Sequence, residues 1–276
     1  MLALGDAGLL RSLRMSISFM VGPHRVRFAG KTDIGRVRAQ NEDNVLVPKE
    51  MALAVVSDGM GGHASGEVAS RITVETIDQY YRDTARSGPN TWPMKLPNLE
   101  VERQRMAVAI QLANSNIFET AAADGSKKGM GCTVDAMYFS QGRFYIGHVG
   151  DSRVYRIRGS QIQALTEDHS FLNDFLRMKE MSSDEGINLP HKNVVVRALG
   201  LNEQVHVDVI HDEFKVGDLF LICSDGLSGM LTDPQMREIS TATNSLDNAC
   251  NELIKSANDA GGNDNISAIL IRVEKP

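Results

Sequence analysis

The sequence predicts an α+β sandwich: two packed β-sheets with helices covering each outer face. Three observations carry this reading. Short apolar runs separated by glycine turns fill the middle of the chain, and amphipathic helical periods bracket them in pairs toward both ends. The 276 residues, 42% hydrophobic and 23% charged, supply enough chain for one sizeable core and match neither a disordered nor a fibrous composition.

The elements follow in chain order. Residues 1–25 contain the stretch MLALGDAGLLRSLRMSISFMVG, in which Asp6, Arg11 and Arg14 interrupt the apolar region and no small-residue cleavage site follows. They read as a leader outside the fold, with Met15 an alternative start. Strand patterns then run from Val26 to Asp33, from Asn44 to Val47 and through Met51 to Val56, the last buried enough to be central. A glycine-rich turn, Ser57-Asp58-Gly59-Met60-Gly61-Gly62-His63, leads into a helix with Ala69, Ile72, Thr76 and Tyr80 on one face. The segment from Ser87 to Asn98, with Trp92 and three prolines, is a loop whose ring folds back on it. A second helix, about Val101 to Ala123, carries Met106, Ala109, Ile110, Ala113 and Ile117 as its stripe.

Cys132 to Phe139, Arg143 to Val149, Val154 to Arg158 and Gln161 to Leu165 read as a meander of antiparallel hairpins, because the gaps between them are short and contain glycine. Residues 166–195 lose periodicity and read as a flap. Strands from Val205 to Ile210 and Asp218 to Cys223, helices from Asp233 to Ser240 and Ser245 to Ala257, and a last strand from Asn265 to Val273 complete a single domain over residues 26–274.

Composition excludes several functions. Asp plus Glu is 35 against 29 for Lys plus Arg, a formal net charge of −6 that gives no footprint for nucleic acid or an anionic membrane. Cys132, Cys223 and Cys250 are widely spaced and form no CxxC pair, so neither a disulfide framework nor a thiolate zinc site is indicated and a reducing cytoplasm fits. None has an arginine six positions later, as the loop of a cysteine-nucleophile phosphatase requires. No apolar stretch is long enough to span a membrane, and no GxxxxGK[ST] loop marks a P-loop enzyme.

The chemistry lies in where the aspartates fall. Asp43, Asp58, Asp151, Asp225 and Asp264 each sit at a strand end or in a tight turn. Singly, each is an ordinary turn residue, since Asp bonds its own backbone and glycine supplies positive φ. Together they form a pattern: Asp58 and Asp225 both end apolar strands, so both carboxylates are delivered to the same kind of edge. Carboxylates meeting there repel unless cations lie between them, and all-oxygen ligation selects Mg²⁺ or Mn²⁺. Two such ions clamp an in-line displacement at phosphorus. Arg38, five residues before Asp43, is placed to grip phosphate oxygens.

Thr32-Asp33-Ile34-Gly35-Arg36-Val37-Arg38-Ala39-Gln40-Asn41-Glu42-Asp43, Asp58-Gly59-Met60-Gly61-Gly62-His63, Gly150-Asp151-Ser152-Arg153, Ser224-Asp225-Gly226-Leu227 and Gly262-Asn263-Asp264-Asn265-Ile266 together resemble the metal-dependent serine/threonine protein phosphatases, the PPM or type 2C family, in its bacterial branch. The resemblance spans roughly residues 26–274 in the family's order. It implies an α-β-β-α sandwich, two central antiparallel sheets flanked on each outer face by a pair of helices, and hydrolysis of phosphoserine and phosphothreonine by a water bridging two Mn²⁺ or Mg²⁺ ions.

Carried over by position, the resemblance makes Asp58 the bridging carboxylate and Gly59 a ligand through its carbonyl. Asp225 and Asp264 hold the first metal. Asp43 binds the second through water, with Glu42 where some relatives use a direct acidic ligand, and Asp151 matches a third, weaker metal site. Arg38 becomes the phosphate-gripping residue, and His63 matches a histidine proposed as general acid. Cys132 stands where relatives often carry a small hydroxyl residue, a difference expected to affect packing more than chemistry. The implied partners are phosphoproteins and a cognate Ser/Thr kinase, for a cytoplasmic monomer. The rival class is a phosphatase-like scaffold without activity, disfavoured because every expected acidic position is filled. A calcineurin-like phosphoesterase or nuclease lacks its histidine-rich ligands here.

Overall fold

The computed structural model describes residues 16–61, 65–87, 101–170 and 197–276. Two β-sheets stack face to face, and every strand pairing within them is antiparallel. The larger has six strands in the order β1-β2-β13-β12-β9-β10. These are β1 (Ile17–Val21), β2 (His24–Asp33), β13 (Ile266–Glu274), β12 (Leu219–Cys223), β9 (Arg153–Arg158) and β10 (Gln161–Ala164). The second has five in the order β11-β8-β7-β4-β3, namely β11 (Asp208–Glu213), β8 (Arg143–Val149), β7 (Val134–Ser140), β4 (Leu53–Ser57) and β3 (Asn44–Leu46). A two-residue pair, β5 (Gly59–Met60) with β6 (Gly131–Cys132), sits beside the end of β4.

The period-2 alternation of the strands builds three hydrophobic layers. On β4, Ala54 and Val56 enter the layer between the sheets while Leu53 and Val55 point to the helices. On β12, Phe220 and Ile222 point inward and Leu219, Leu221 and Cys223 outward. Phe28, Phe139, Phe144 and Phe220 interlock in the central layer, with ring centroids 5.0–5.8 Å apart. Helices α1 (Ser65–Ser87) and α2 (Val101–Ala123) cover the five-stranded sheet, burying the predicted α2 stripe completely. The six-stranded sheet is covered by α4 (Asp233–Thr241) and α5 (Leu246–Asp259), preceded by the single turn α3 (Asp225–Ser228). The predicted sandwich with a helix pair on each face is therefore the observed one.

Three expectations are corrected. Residues 1–25 do not all lie outside the fold: β1 pairs with β2 from Ile17↔Phe28 to Val21↔His24. As an edge strand it leaves Ile17 and Met20 exposed while Phe19 stacks edge-on against Phe28, so its periodic signal is faint. The central meander is not continuous either. β7 and β8 form a hairpin, but the chain then crosses at Gly150-Asp151-Ser152 to the other sheet, where β9 pairs with β12. Length and glycine content do not distinguish a hairpin turn from this crossing. The strand expected over 205–210 runs instead over Asp208–Glu213, because pairing starts at Asp208↔His148, next to where β8 ends. The flap expected over 166–195 falls largely outside the described residues, as does the Trp92 loop beyond Ser87, which ends α1.

Candidate active site

Antiparallel order brings the acidic turns together. In the five-stranded sheet β4 and β8 flank β7, so they run the same way and release Asp58 and Asp151 at one end. In the other sheet β12 ends and its neighbour β13 begins at that end, contributing Asp225 and Asp264. A cleft of about 240 Å³ opens there, lined by Arg38, Glu42, Asp58, Gly59, Met60, Gly61, Thr133, Asp151, Asp225 and Asp264. Larger cavities of about 1030 and 1080 Å³ lie elsewhere, beside α1 and beside β11, away from these carboxylates.

The turns that carry these side chains are set by hydrogen bonds to buried backbone groups. Thr133 grips the end of β4: its N–H donates to the Asp58 carbonyl (2.8 Å), its Oγ1 accepts from the Asp58 N–H (3.0 Å), and its carbonyl accepts from Ser57 Oγ (2.7 Å). The same Oγ1 lies 2.8 Å from Ser152 Oγ, tying the Asp58 turn to the Asp151 turn. Gly59 has no room for a side chain, since a Cβ there would lie 2.3 Å from the Gly66 carbonyl oxygen and 2.5 Å from that of Glu42. The backbone of this turn is thus pressed between the start of α1 and the segment that carries Arg38.

That segment, residues 34–43, is held by Asn265. Its Nδ2 donates to the Ile34 and Gln40 carbonyls, both at 2.9 Å, and its Oδ1 accepts from the Glu42 N–H at 2.7 Å. Arg38 reaches across to Asp264 at 2.6 Å with its side chain half exposed. Glu42 takes the cleft wall, whereas Asp43 is buried behind it. Asp43 Oδ2 accepts from Ser224 Oγ (2.8 Å) and Ser267 Oγ (2.6 Å). Of the residues singled out in the sequence, the structure gathers Arg38, Asp58, Gly59, Asp151, Asp225 and Asp264 in one cleft, and it sets Asp43 one layer back. His63 lies outside the described residues.

Burial and mutual repulsion shift several carboxyls of this cluster upward. Burial first, then Asp43, Asp225, Asp151 and Asp264, raise the Asp58 carboxyl well above the ordinary range. Burial pushes Asp43 up to about 6, opposed by its two serine hydroxyls. Burial together with Asp225 and Asp168 pushes Asp151 up to about 7. Asp225 is raised by burial and by Asp264. Arg38 is the only cationic side chain lining the cleft among the described residues.

These features fit a hard cation. Asp43 Oδ1 and Asp225 Oδ1 are buried and have no hydrogen-bond partner, leaving oxygens available for a further positive group. Among the described residues no three His, Cys, Asp or Glu side chains close around one point by themselves. A divalent ion here would complete its shell with backbone oxygen and water, as Mg²⁺ does at sites offering one or two carboxylates.

Sequence reasoning missed the side chains that aim the ligands: Thr133, Asn265, Ser224 and Ser267. Ser224, Asn265 and Ser267 stand in or beside the quoted motifs and Thr133 stands outside them, but their hydroxyls and amide act between distant segments, at separations such as 181 residues between Asp43 and Ser224.

A two-sheet sandwich that delivers four aspartates from both sheets to one polar cleft, with an arginine at its rim, is the framework of a phosphohydrolase that uses hard metal ions. The comparisons identify which. The protein phosphatase 2C family profile matches residues 36–270. The serine/threonine phosphatase stp of Listeria innocua is 36% identical over 244 residues, covering 87% of this chain and 93% of that protein. The Mycobacterium tuberculosis serine/threonine phosphatase PstP/Ppp superposes with a TM-score of 0.78 at 29% identity, over 90% of this chain and 99% of that one. A PstP catalytic domain solved with two manganese ions gives 0.75 at 29% identity, over 90% and 98%. This chain belongs to the protein phosphatase 2C family, as its five motifs imply.

Proposed function

We propose that the chain is a metal-dependent protein serine/threonine phosphatase, with Mn²⁺ or Mg²⁺ held by Asp58, Asp225, Asp264 and the Gly59 carbonyl. The observation that carries this reading is the convergence of Asp58, Asp151, Asp225 and Asp264 on one cleft with Arg38. Asp43, behind the wall, would serve the second ion through water, with Glu42 on the wall at the position of a direct acidic ligand, and Asp151 would serve a third, weaker one. When bound, the cations neutralise these carboxylates and supply the Lewis acidity that hydrolysis at phosphorus needs.

The chain's own residues do the rest. Arg38, anchored to Asp264 on one side, keeps guanidinium donors for the non-bridging oxygens of a phosphate and holds the ester in line. Thr133 and Asn265 prevent the carboxylates from drifting apart under their own repulsion. His63, beside the Gly59 turn in sequence, is assigned the proton for the departing seryl or threonyl oxygen. Phosphoproteins are the substrates, a Ser/Thr kinase is the opposing activity, and a cytoplasmic monomer is the working form. The three free, buried cysteines suit a reducing compartment. No described helix is long and apolar enough to cross a membrane.

The test is phosphate release from phosphoserine and phosphothreonine peptides. Activity is expected with Mn²⁺ or Mg²⁺, absent with EDTA, and absent in Asp225→Ala at any metal concentration. Full turnover after chelation, or in that variant, refutes the assignment.

A further inference from the structure

We propose that His169 is a positioning residue: it clamps the Gly150-Asp151 turn against the cleft and thereby sets how tightly the Asp151 carboxylate holds a divalent cation. The inference rests on the reading of Asp151 as a metal ligand. Asp151 needs such support. Its carboxylate takes no side-chain hydrogen bond among the described residues, so its aim depends on the turn that carries it.

That turn is gripped from two sides. On one side Gly150, at φ +120°, lies so close to Thr133 that a Cβ would fall 2.6 Å from the threonine side chain. On the other side is His169. Its backbone N–H donates to the Gly150 carbonyl at 2.7 Å, and the Gly150 N–H donates to its ring Nδ1 at 3.1 Å. Two bonds in opposite directions join one residue pair and hold Gly150 through both of its flanking peptides, the second of which leads directly into Asp151. His169 is 1% exposed and its ring is braced from behind, with Nε2 2.8 Å from Arg197 Nη1 and 3.2 Å from Asp208 Oδ2, while the same Arg197 nitrogen lies 3.2 Å from the other oxygen of that carboxylate. Nδ1 accepts from the Gly150 N–H, which leaves the ring hydrogen of the neutral imidazole on Nε2, where Asp208 is the acceptor and Arg197 a second donor drawn to the same carboxylate. Burial, with His148 and Arg197 nearby, pushes this imidazole down to about 4, which keeps the Nδ1 lone pair free for the amide.

The rest of the segment reinforces the grip. Arg153, two residues beyond Asp151, forks onto Asp168 at 2.8 and 2.7 Å. The Val154 N–H donates to Thr166 Oγ1 at 3.0 Å, and His148, paired with Asp135, places Nε2 3.0 Å from the Glu167 carbonyl. Residues 165–169 therefore lie along residues 148–154, with His169 at the point nearest the ligand. Removing a group that orients a metal ligand typically weakens metal binding by about 10- to 100-fold.

Three variants separate the two ends of the ring. In His169→Asn, Oδ1 stands where Nδ1 accepts from Gly150. In His169→Gln, only the reach toward Asp208 is kept. The readouts are amide exchange of a peptide spanning residues 147–155 in EDTA, and the Mn²⁺ concentration for half-maximal hydrolysis of p-nitrophenyl phosphate. For His169→Ala and His169→Gln we expect exchange and half-activating Mn²⁺ both raised about tenfold. KM at saturating Mn²⁺ should stay within about twofold, and His169→Asn should return both readouts toward wild type. Unchanged exchange and Mn²⁺ response in His169→Ala overturns the proposal, as does equal rescue by Asn and Gln. If the alanine variant does not fold, the Asn and Gln pair still decides. Failure of the phosphatase reading looks different: the wild type releases no phosphate with Mn²⁺, while the exchange readout still reports the clamp.

Discussion

Replacing Asp151 by asparagine should make the metal-free protein more stable while making it a poorer metal binder. Burial and the neighbouring Asp225 and Asp168 push this carboxyl from 3.8 up to about 7, so the folded state disfavours its charge. A pKa raised by about 3, at 1.36 kcal/mol each, corresponds to about 4 kcal/mol of destabilisation once the group is fully ionised. Water reaching the cleft reduces that to about 2 kcal/mol, or roughly 5 °C in melting temperature for a domain of this size.

The sign follows from linkage. The protonated form contributes stability that is fully present below 3.8 and lost as pH rises through about 7, so the wild type weakens across that window and the asparagine variant does not. Melting in EDTA at pH 8 should place Asp151→Asn above wild type by roughly 5 °C, a gap that narrows to about half by pH 5.5. Added Mn²⁺ should raise the wild type more than the variant, because only the wild type retains the ligand. A variant that melts at or below wild type in EDTA at pH 8, or a gap that does not change with pH, refutes the reasoning that these carboxylates strain the metal-free fold.

Two further perturbations test the site's construction. Arg38→Ala should raise KM for a small aryl phosphate by about tenfold, the order expected for a lost charge-assisted contact, and an unchanged KM would return this half-exposed side chain to a role confined to Asp264. Asn265→Ala removes three partly buried hydrogen bonds to Ile34, Gln40 and Glu42 and should cost about 2–4 kcal/mol in urea unfolding with EDTA present. It should also lower activity at saturating Mn²⁺, because both Arg38 and Glu42 ride on the segment it ties down, and a loss of stability with full activity would show that the tie is structural only.

Much of the fold was legible because its signals are local. The strand from Arg143 to Val149 and the helix from Val101 to Ala123 carry their own periodicity, and both occur where the pattern places them. β1 was not legible, because an edge strand hides only half of its short length, here Phe19 and Val21. The Gly150-Asp151-Ser152 turn shows the deeper limit. Its composition suits a hairpin, but β9 finds its partner in β12, more than sixty residues later, so the chain changes sheets there. That crossing is what carries Asp151 to the cleft.

The sequence by itself determined the inventory of the site: five aspartates at strand ends or in tight turns, an arginine five residues before one of them, and the order of motifs that marks the protein phosphatase 2C family. Turn chemistry and motif order are properties of neighbouring residues. Tertiary structure decided which carboxylates share a field, that Glu42 faces the cleft while Asp43 backs it, and that Thr133, Asn265 and His169 hold the turns in place. Those outcomes depend on charges and hydrogen bonds between segments as far apart as Glu42 and Asn265, separated by 223 residues, whose meeting is set only when two sheets close over a shared core.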